Sequence, residues 1–211
     1  MEITWLGHSC FKLKGKQATV ITDPFSPAIG YTLGKVAADI VTVSHPHPGH
    51  SYVQGVADEP RVLKSPGEYE SGGVLTVGVH TFHDNEKGAQ RGKNTVFVID
   101  IDDVMICHLG DLGHVLTAEQ VAEINGVDVL LIPVGDVSTI DAVQAAQVVR
   151  QLEPKIIIPM HYKTEAEKKD LETAERFLKE MGVKEAVPQP KLSVNKSSLP
   201  LTMQVVMLSY K

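Results

Sequence analysis

The segment His45-Pro-His47-Pro-Gly-His50 places three imidazoles within six residues, directly after the apolar run 38–44. Imidazole is the commonest metal ligand among side chains and needs only to be neutral near pH 7. Histidines two apart point the same way on an extended backbone, and Pro46 and Pro48 bias the chain toward that conformation. Gly49 then allows a sharp turn before His50. A strand therefore ends in a stiff loop that aims several nitrogens at one point. One loop rarely closes a metal shell, so the rest of the chain must deliver further donors from other strand ends to the same edge. That requirement restricts the architecture more than any other feature of the sequence.

Donors of this kind recur just after apolar runs. Val77-Gly-Val-His80-Thr-Phe-His83-Asp84 offers two histidines, Met105-Ile-Cys-His108-Leu-Gly-Asp111 an aspartate behind a glycine turn, and Ile156-Ile-Ile-Pro-Met-His161 a histidine. Ligand sites in sheet proteins gather where loops leave strand ends. Each residue also has a plainer reading, Asp111 as a turn cap and His161 as a satisfied half-buried histidine. Spacing does not choose between His80 and His83, and it leaves the part played by His108 open.

The first half reads as short strands at 3–6, 10–13, 18–22, 38–43, 61–64, 74–80, 95–101 and 104–108, the last two joined by an Asp102-Asp103 hairpin turn. The second half alternates helix and strand. Thr117 with Gln120 three residues on forms a capping box that opens a helix to about residue 124. A buried strand follows at 129–133. Thr139 or Ser138 caps a helix carrying Ala142, Ala145, Ala146, Val149 and Leu152 at helical spacing, stopped by Pro154. After a strand at 155–159, Thr164 opens a charged helix with Leu171, Ala174, Phe177, Leu178 and Met181 inward and Gly182 at its end. The alternating charges of 163–169 read as a solvated face of that helix. A strand at 204–209 closes the chain, with an edge open to pairing between copies in a homo-oligomer, although closure within the chain is favoured. This pattern predicts one α/β domain over 1–211, with helices outside two packed sheets.

Composition narrows the function. The chain has 211 residues, 20 Lys and Arg against 26 Asp and Glu, and a net charge of −6. That balance speaks against nucleic acid as main partner, since binding phosphates needs a basic face. No apolar stretch reaches the ~20 residues of a membrane span, and the start of the chain carries no secretory signal pattern. Cys10 and Cys107 form neither a disulfide framework nor a CxxC pair, which suggests small strand residues in a reducing cytoplasm. A small-molecule substrate is the expected partner.

The ordered set Trp5-Leu-Gly-His-Ser9, Thr22-Asp-Pro-Phe25, the 45–50 loop, Gly67-Glu-Tyr-Glu70, His83-Asp84 with Arg91-Gly-Lys-Asn94, His108-Leu-Gly-Asp111, Ile132-Pro-Val-Gly135 and Ile158-Pro-Met-His-Tyr162 spans nearly the whole chain. It resembles the metal-dependent hydrolases of the metallo-β-lactamase fold, in particular compact single-domain proteins similar to ascorbate-6-phosphate lactonase. The resemblance implies a four-layer αβ/βα sandwich of two mixed sheets with a metal site on one edge. It assigns a first ion to His45, His47 and His83, a second to His50 and His161, and Asp111 as the catalytic carboxylate between them. His83 is taken over His80 because His-Asp followed by Arg-Gly-x-Asn is the pattern of the family. His8 is a further catalytic candidate, facing the substrate or supporting a ligand. Tyr162 and Arg91 are candidates for contact with an anionic group, and Asp84 for orienting a ligand histidine.

One departure matters. The loop of the family reads His-x-His-x-Asp-His, and Gly49 stands at the aspartate. The expectation is one tight Zn²⁺ site and a second that is weak or variable, completed by water, His8, Asp23 or Glu68, with Mn²⁺ or Fe²⁺ as alternative metals. The implied chemistry is attack of a metal-bound hydroxide on an ester, lactone or phosphate-containing small molecule. The alternative is a metal-binding protein of the same fold whose catalysis is weak or lost because of Gly49.

Overall fold

Alternate residues of the N-terminal strands face opposite ways, and this period of two builds two apolar clusters at once. The computed structural model describes residues 1–210. Its strands are β1 (Glu2–Gly7), β2 (Cys10–Lys14), β3 (Thr19–Thr22), β4 (Val36–Ala37), β5 (Ile40–Thr42), β6 (Val56–Ala57), β7 (Arg61–Leu63) and β8 (Gly67–Ser71). There follow β9 (Val74–Phe82), β10 (Lys93–Ile101), β11 (Val104–His108), β12 (Val129–Pro133), β13 (Ile156–Met160), β14 (Leu192–Ser193) and β15 (Gln204–Val205). The helices are α1 (Ala118–Ile124), α2 (Ala142–Leu152) and α3 (Glu175–Glu180).

One sheet of six strands has the order β14-β1-β2-β3-β5-β7, and a second of seven the order β15-β13-β12-β11-β10-β9-β8. Both follow one plan, with antiparallel hairpins first and parallel strands after. Ile3, Trp5, Phe11, Leu13 and Val20 from the first sheet join Phe97, Ile99 and Ile106 from the second in the main core. Their alternates Leu6, Cys10, Ile21 and Val41 pack outward against Phe25, Tyr31 and Leu33. The helical turns over that outer face are the short 3-10 turns Pro27–Ile29 and Val53–Gly55. The second sheet carries the α-helices, with α1 on β9, α2 on β12 and α3 against α2. Covered on both sides, β12 and β13 are buried at every residue, as their unbroken apolar runs require. The predicted α/β sandwich is therefore the observed class, with loops forming most of the layer over the first sheet.

Several boundaries move. The Asp102-Asp103 turn forms with both residues at positive φ, 56° and 64°, the geometry that matches the twist of a two-residue hairpin. The Thr117–Gln120 capping box opens α1 as expected. The cap of α2 is Asp141, paired with Gln144, not Thr139 or Ser138; only Asp141 has a glutamine three residues on to answer its N–H. The charged helix predicted from Thr164 begins only at Glu175, and 163–169 is irregular chain rather than a solvated helix face. The predicted 204–209 strand shortens to β15, which pairs in parallel with β13 of the same chain. Among the described residues no helix is long and apolar enough to cross a membrane.

Candidate metal centre

The strand directions bring the carboxyl ends of β1, β5, β9, β11 and β13 to one edge, and each loop leaving there carries a candidate ligand. Asp111 sits at the centre. Its Oδ2 lies 3.2 Å from His50 Nε2, 3.2 Å from His83 Nε2 and 3.8 Å from His45 Nε2, and its Oδ1 lies 3.5 Å from His161 Nε2. Three overlapping sets have donor atoms within 4.8 Å of one another: His45, His83 and Asp111; His45, His47 and His50; His8, His50 and His161. The six expected ligands and His8 all fall within these sets.

Buried polar contacts hold these side chains in place. Fully buried Asp23 accepts from Ser44 N at 2.7 Å and Ser44 Oγ at 2.5 Å, and pairs with His50 Nδ1 at 2.8 Å. Asn94 accepts from Asp111 N and donates to Thr81 Oγ1 and to Leu109 O. His8 Nδ1 pairs with Glu167 Oε2 at 2.8 Å, both side chains wholly buried. His8, Asp23 and His161 adopt φ of 52°, 40° and 51°, a left-handed region that non-glycine residues occupy at some energetic expense and that clusters at functional sites.

Charge at the centre follows from burial and these neighbours. Burial lowers the pKa of His45 to about 3 with help from His50, and that of His161 to about 3 against the pull of Asp111. Both are thus neutral and carry a free lone pair. Burial opposes a charge on His50 too, but Asp111 and Asp23 on either side raise it to about 9. Asp111 is held well below the usual carboxylate range, burial being outweighed by His161 and His50. The pocket thus favours a cation between two carboxylates. Among the described residues, buried His8 Nε2, His161 Nε2 and Asp111 Oδ1 have no hydrogen-bond partner. Orphaned buried donors and acceptors are costly, and a divalent ion would satisfy them together. The donor set fits a metal.

Other expectations change. His80 lies half-buried against Phe82, outside the three sets. His108 Nε2 meets Ser9 O at 2.8 Å and ties the β1–β2 turn to the second sheet. Tyr162 is buried against Trp5, so it belongs to the core. Asp84 holds no histidine; it accepts from the N–H groups of Glu86, Gly88, Gln90 and Arg91. Desolvation would raise its pKa, and these N–H groups led by Arg91 outweigh it, bringing it to about 2. The loop so fixed presents Arg91, whose Nη2 donates to Val137 O. A cavity of about 340 Å³ beside the cluster is lined by His45, His47, His83, Arg91, Asp111, Ser138 and Lys169. An adjoining one of about 600 Å³ runs past His45, Lys64, His80, Arg91 and Lys93. Sequence reasoning missed Glu167, Lys169, Ser138 and the structural role of Asn94. Only Asn94 had a signal, in Arg91-Gly-x-Asn.

Residues 2–161 match the β-lactamase superfamily domain. A UPF0173 metal-dependent hydrolase of Methanoculleus marisnigri is 31% identical over 189 residues, covering 78% of this chain and 82% of that one. A solved structure of a candidate Zn-dependent hydrolase of the metallo-β-lactamase superfamily from Thermotoga maritima is 41% identical. It covers 100% of this chain and 99% of its own, with a TM-score of 0.83. At 18% identity, a candidate metal-dependent hydrolase from Parabacteroides distasonis covers 99% of this chain and 93% of its own with a TM-score of 0.69, a likeness of fold alone.

Proposed function

The chain belongs to the β-lactamase superfamily, a metal-dependent hydrolase of the metallo-β-lactamase fold, and from that premise we propose that it hydrolyses an anionic small molecule bearing an ester, lactone or phosphate bond. The observation that carries the reading is the convergence of six side chains from four loops on one point. His45, His47 and His83 would hold one ion, His50 and His161 a second, with Asp111 between them. Zn²⁺ suits this imidazole-rich set, and Mn²⁺ or Fe²⁺ can occupy similar donors. Such ions supply a water activated near neutral pH and a counter-charge for a developing oxyanion.

The protein's own residues account for the rest. Asp23 and Ser44 fix the histidine loop. Asn94 fixes the backbone of Asp111. Arg91 and Lys169 line the cavity over the cluster, and Lys64 and Lys93 line its neighbour. Among the described residues the only carboxylate lining either cavity is Asp111, although the whole chain carries −6. An anionic substrate group would meet attraction there, and the guanidinium fork of Arg91 matches a carboxylate or phosphate. The alternative of a metal-binding protein without turnover draws on Gly49, which denies the loop its usual carboxylate.

A panel of esters, lactones and phosphate esters, each with Zn²⁺, Mn²⁺ and Fe²⁺, tests the reading. Turnover of an anionic member is expected, abolished in Asp111→Ala and His47→Ala. Full activity in either variant would overturn the mechanism, and tight metal binding without turnover of any class would favour the alternative.

A further inference from the structure

We propose that His8 is itself a metal ligand in this chain, closing a nitrogen triad with His50 and His161 around the second ion, and that Glu167 positions it. The inference rests on the hydrolase reading above and completes its weaker site. The His8 ring is wholly buried, and its centroid lies 4.3 Å from that of His161 and 4.9 Å from that of His50. The donor nitrogens of the three lie within 4.8 Å of one another. Nδ1 of His8 is engaged by Glu167 at 2.8 Å, while its Nε2 has no hydrogen-bond partner among the described residues. With the proton held on Nδ1, Nε2 presents a lone pair to the cluster. A carboxylate behind a ligating imidazole is the usual way its tautomer and orientation are set.

The backbone is built for this placement. His8 O accepts from Trp5 Nε1 and from His161 N, each at 3.0 Å, so the turn is pinned to the loop that carries its partner. Glu167 is pinned as well, its Oε1 accepting from Lys169 N.

Gly49 belongs to the same arrangement. A Cβ added there would lie 3.1 Å from His8 Nε2 and 3.1 Å from His47 Nδ1. A side chain at 49 and the His8 nitrogen would thus compete for one space, and each substitutes for the other. The remaining candidates do not reach it. The Asp23 carboxylate is committed to His50 Nδ1 and Ser44, and Glu68 lies exposed on β8. Three imidazoles with one carboxylate oxygen suit zinc, cobalt or ferrous ion over calcium or magnesium.

Titration of the metal-free chain with Co²⁺, followed by visible absorption and by ions retained per chain, tests the inference. Two binding steps are expected for the wild type. His8→Ala should weaken the second step about a hundredfold and leave the first in place. Glu167→Gln, which preserves volume, should weaken the second about tenfold, and Gly49→Asp added to His8→Ala should restore it. A second step unchanged in both His8→Ala and Glu167→Gln overturns the role of His8, as does a wild type with a single step, and in both cases the first site and the hydrolase reading stand. A wild type that binds no ion overturns the hydrolase reading itself.

Discussion

One buried amide does a disproportionate share of the positioning. Asn94 is wholly buried and joins Thr81, Leu109 and Asp111 through three hydrogen bonds. Asn94→Ala would leave buried groups unpaired, a loss of about 1–3 kcal/mol each. The expected outcome is a fall in stability of about 3 kcal/mol or more by denaturant unfolding of the metal-free protein, with weaker metal binding. The neighbouring Gly110 has φ 58°, and a Cβ there would come within 2.5 Å of Asn94 Oδ1 and of Ser44 Cβ. Any side chain at 110 would push apart the two loops that bring Ser44 and Asp111 together. At this scale the candidate ligands were legible because each follows an apolar run: His45, His47, His50, His83, Asp111 and His161 all lie in loops that leave strand ends. Glu167 was not legible, because alternating charges look alike whether the chain is helical and solvated or folded back over a histidine.

Among the elements, strands were easier to read than helix starts. Their apolar runs have only to alternate or be continuous, and β1, β2, β11 and β12 begin and end within a residue of expectation. A helix start depends on one side chain reaching one N–H. Asp141 does so for α2, accepting from Gln144 N at 2.8 Å, while Gln144 Oε1 takes the Asp141 N–H at 3.1 Å. Asp141→Ala is expected to lower stability by about 1 kcal/mol and to leave metal content unchanged. Thr139→Ala should shift stability by no more than about 0.5 kcal/mol. Equal losses from the two, read by denaturant unfolding, would contradict the assignment of the cap. The segment that follows β13 escaped sequence reading for a physical reason: its inward contact is to His8, far away in the chain, and local periodicity carries no trace of that.

For the whole molecule, the two-sheet plan matters because it sends the carboxyl ends of several strands to one edge, where no single loop has to supply a complete shell. The same edge gathers Arg91, Lys169, Lys64 and Lys93 on an otherwise acidic protein. Turnover of an anionic substrate should therefore fall as ionic strength rises, since exposed charges are screened beyond ~10 Å at 0.1 M salt. Arg91→Ala should raise KM for such a substrate more than for a neutral analogue, and equal effects on both would remove the anion-binding role. Removing metal with a chelator should lower stability, because an ion at a hundred times its Kd contributes about 2.7 kcal/mol. The most direct measurement is elemental analysis of the wild-type chain purified without added metal and dialysed. The account predicts divalent transition metal in whole-number ratio to the chain, lost or reduced in Asp111→Ala. A folded wild type with no such metal, and none taken up on addition, would contradict it.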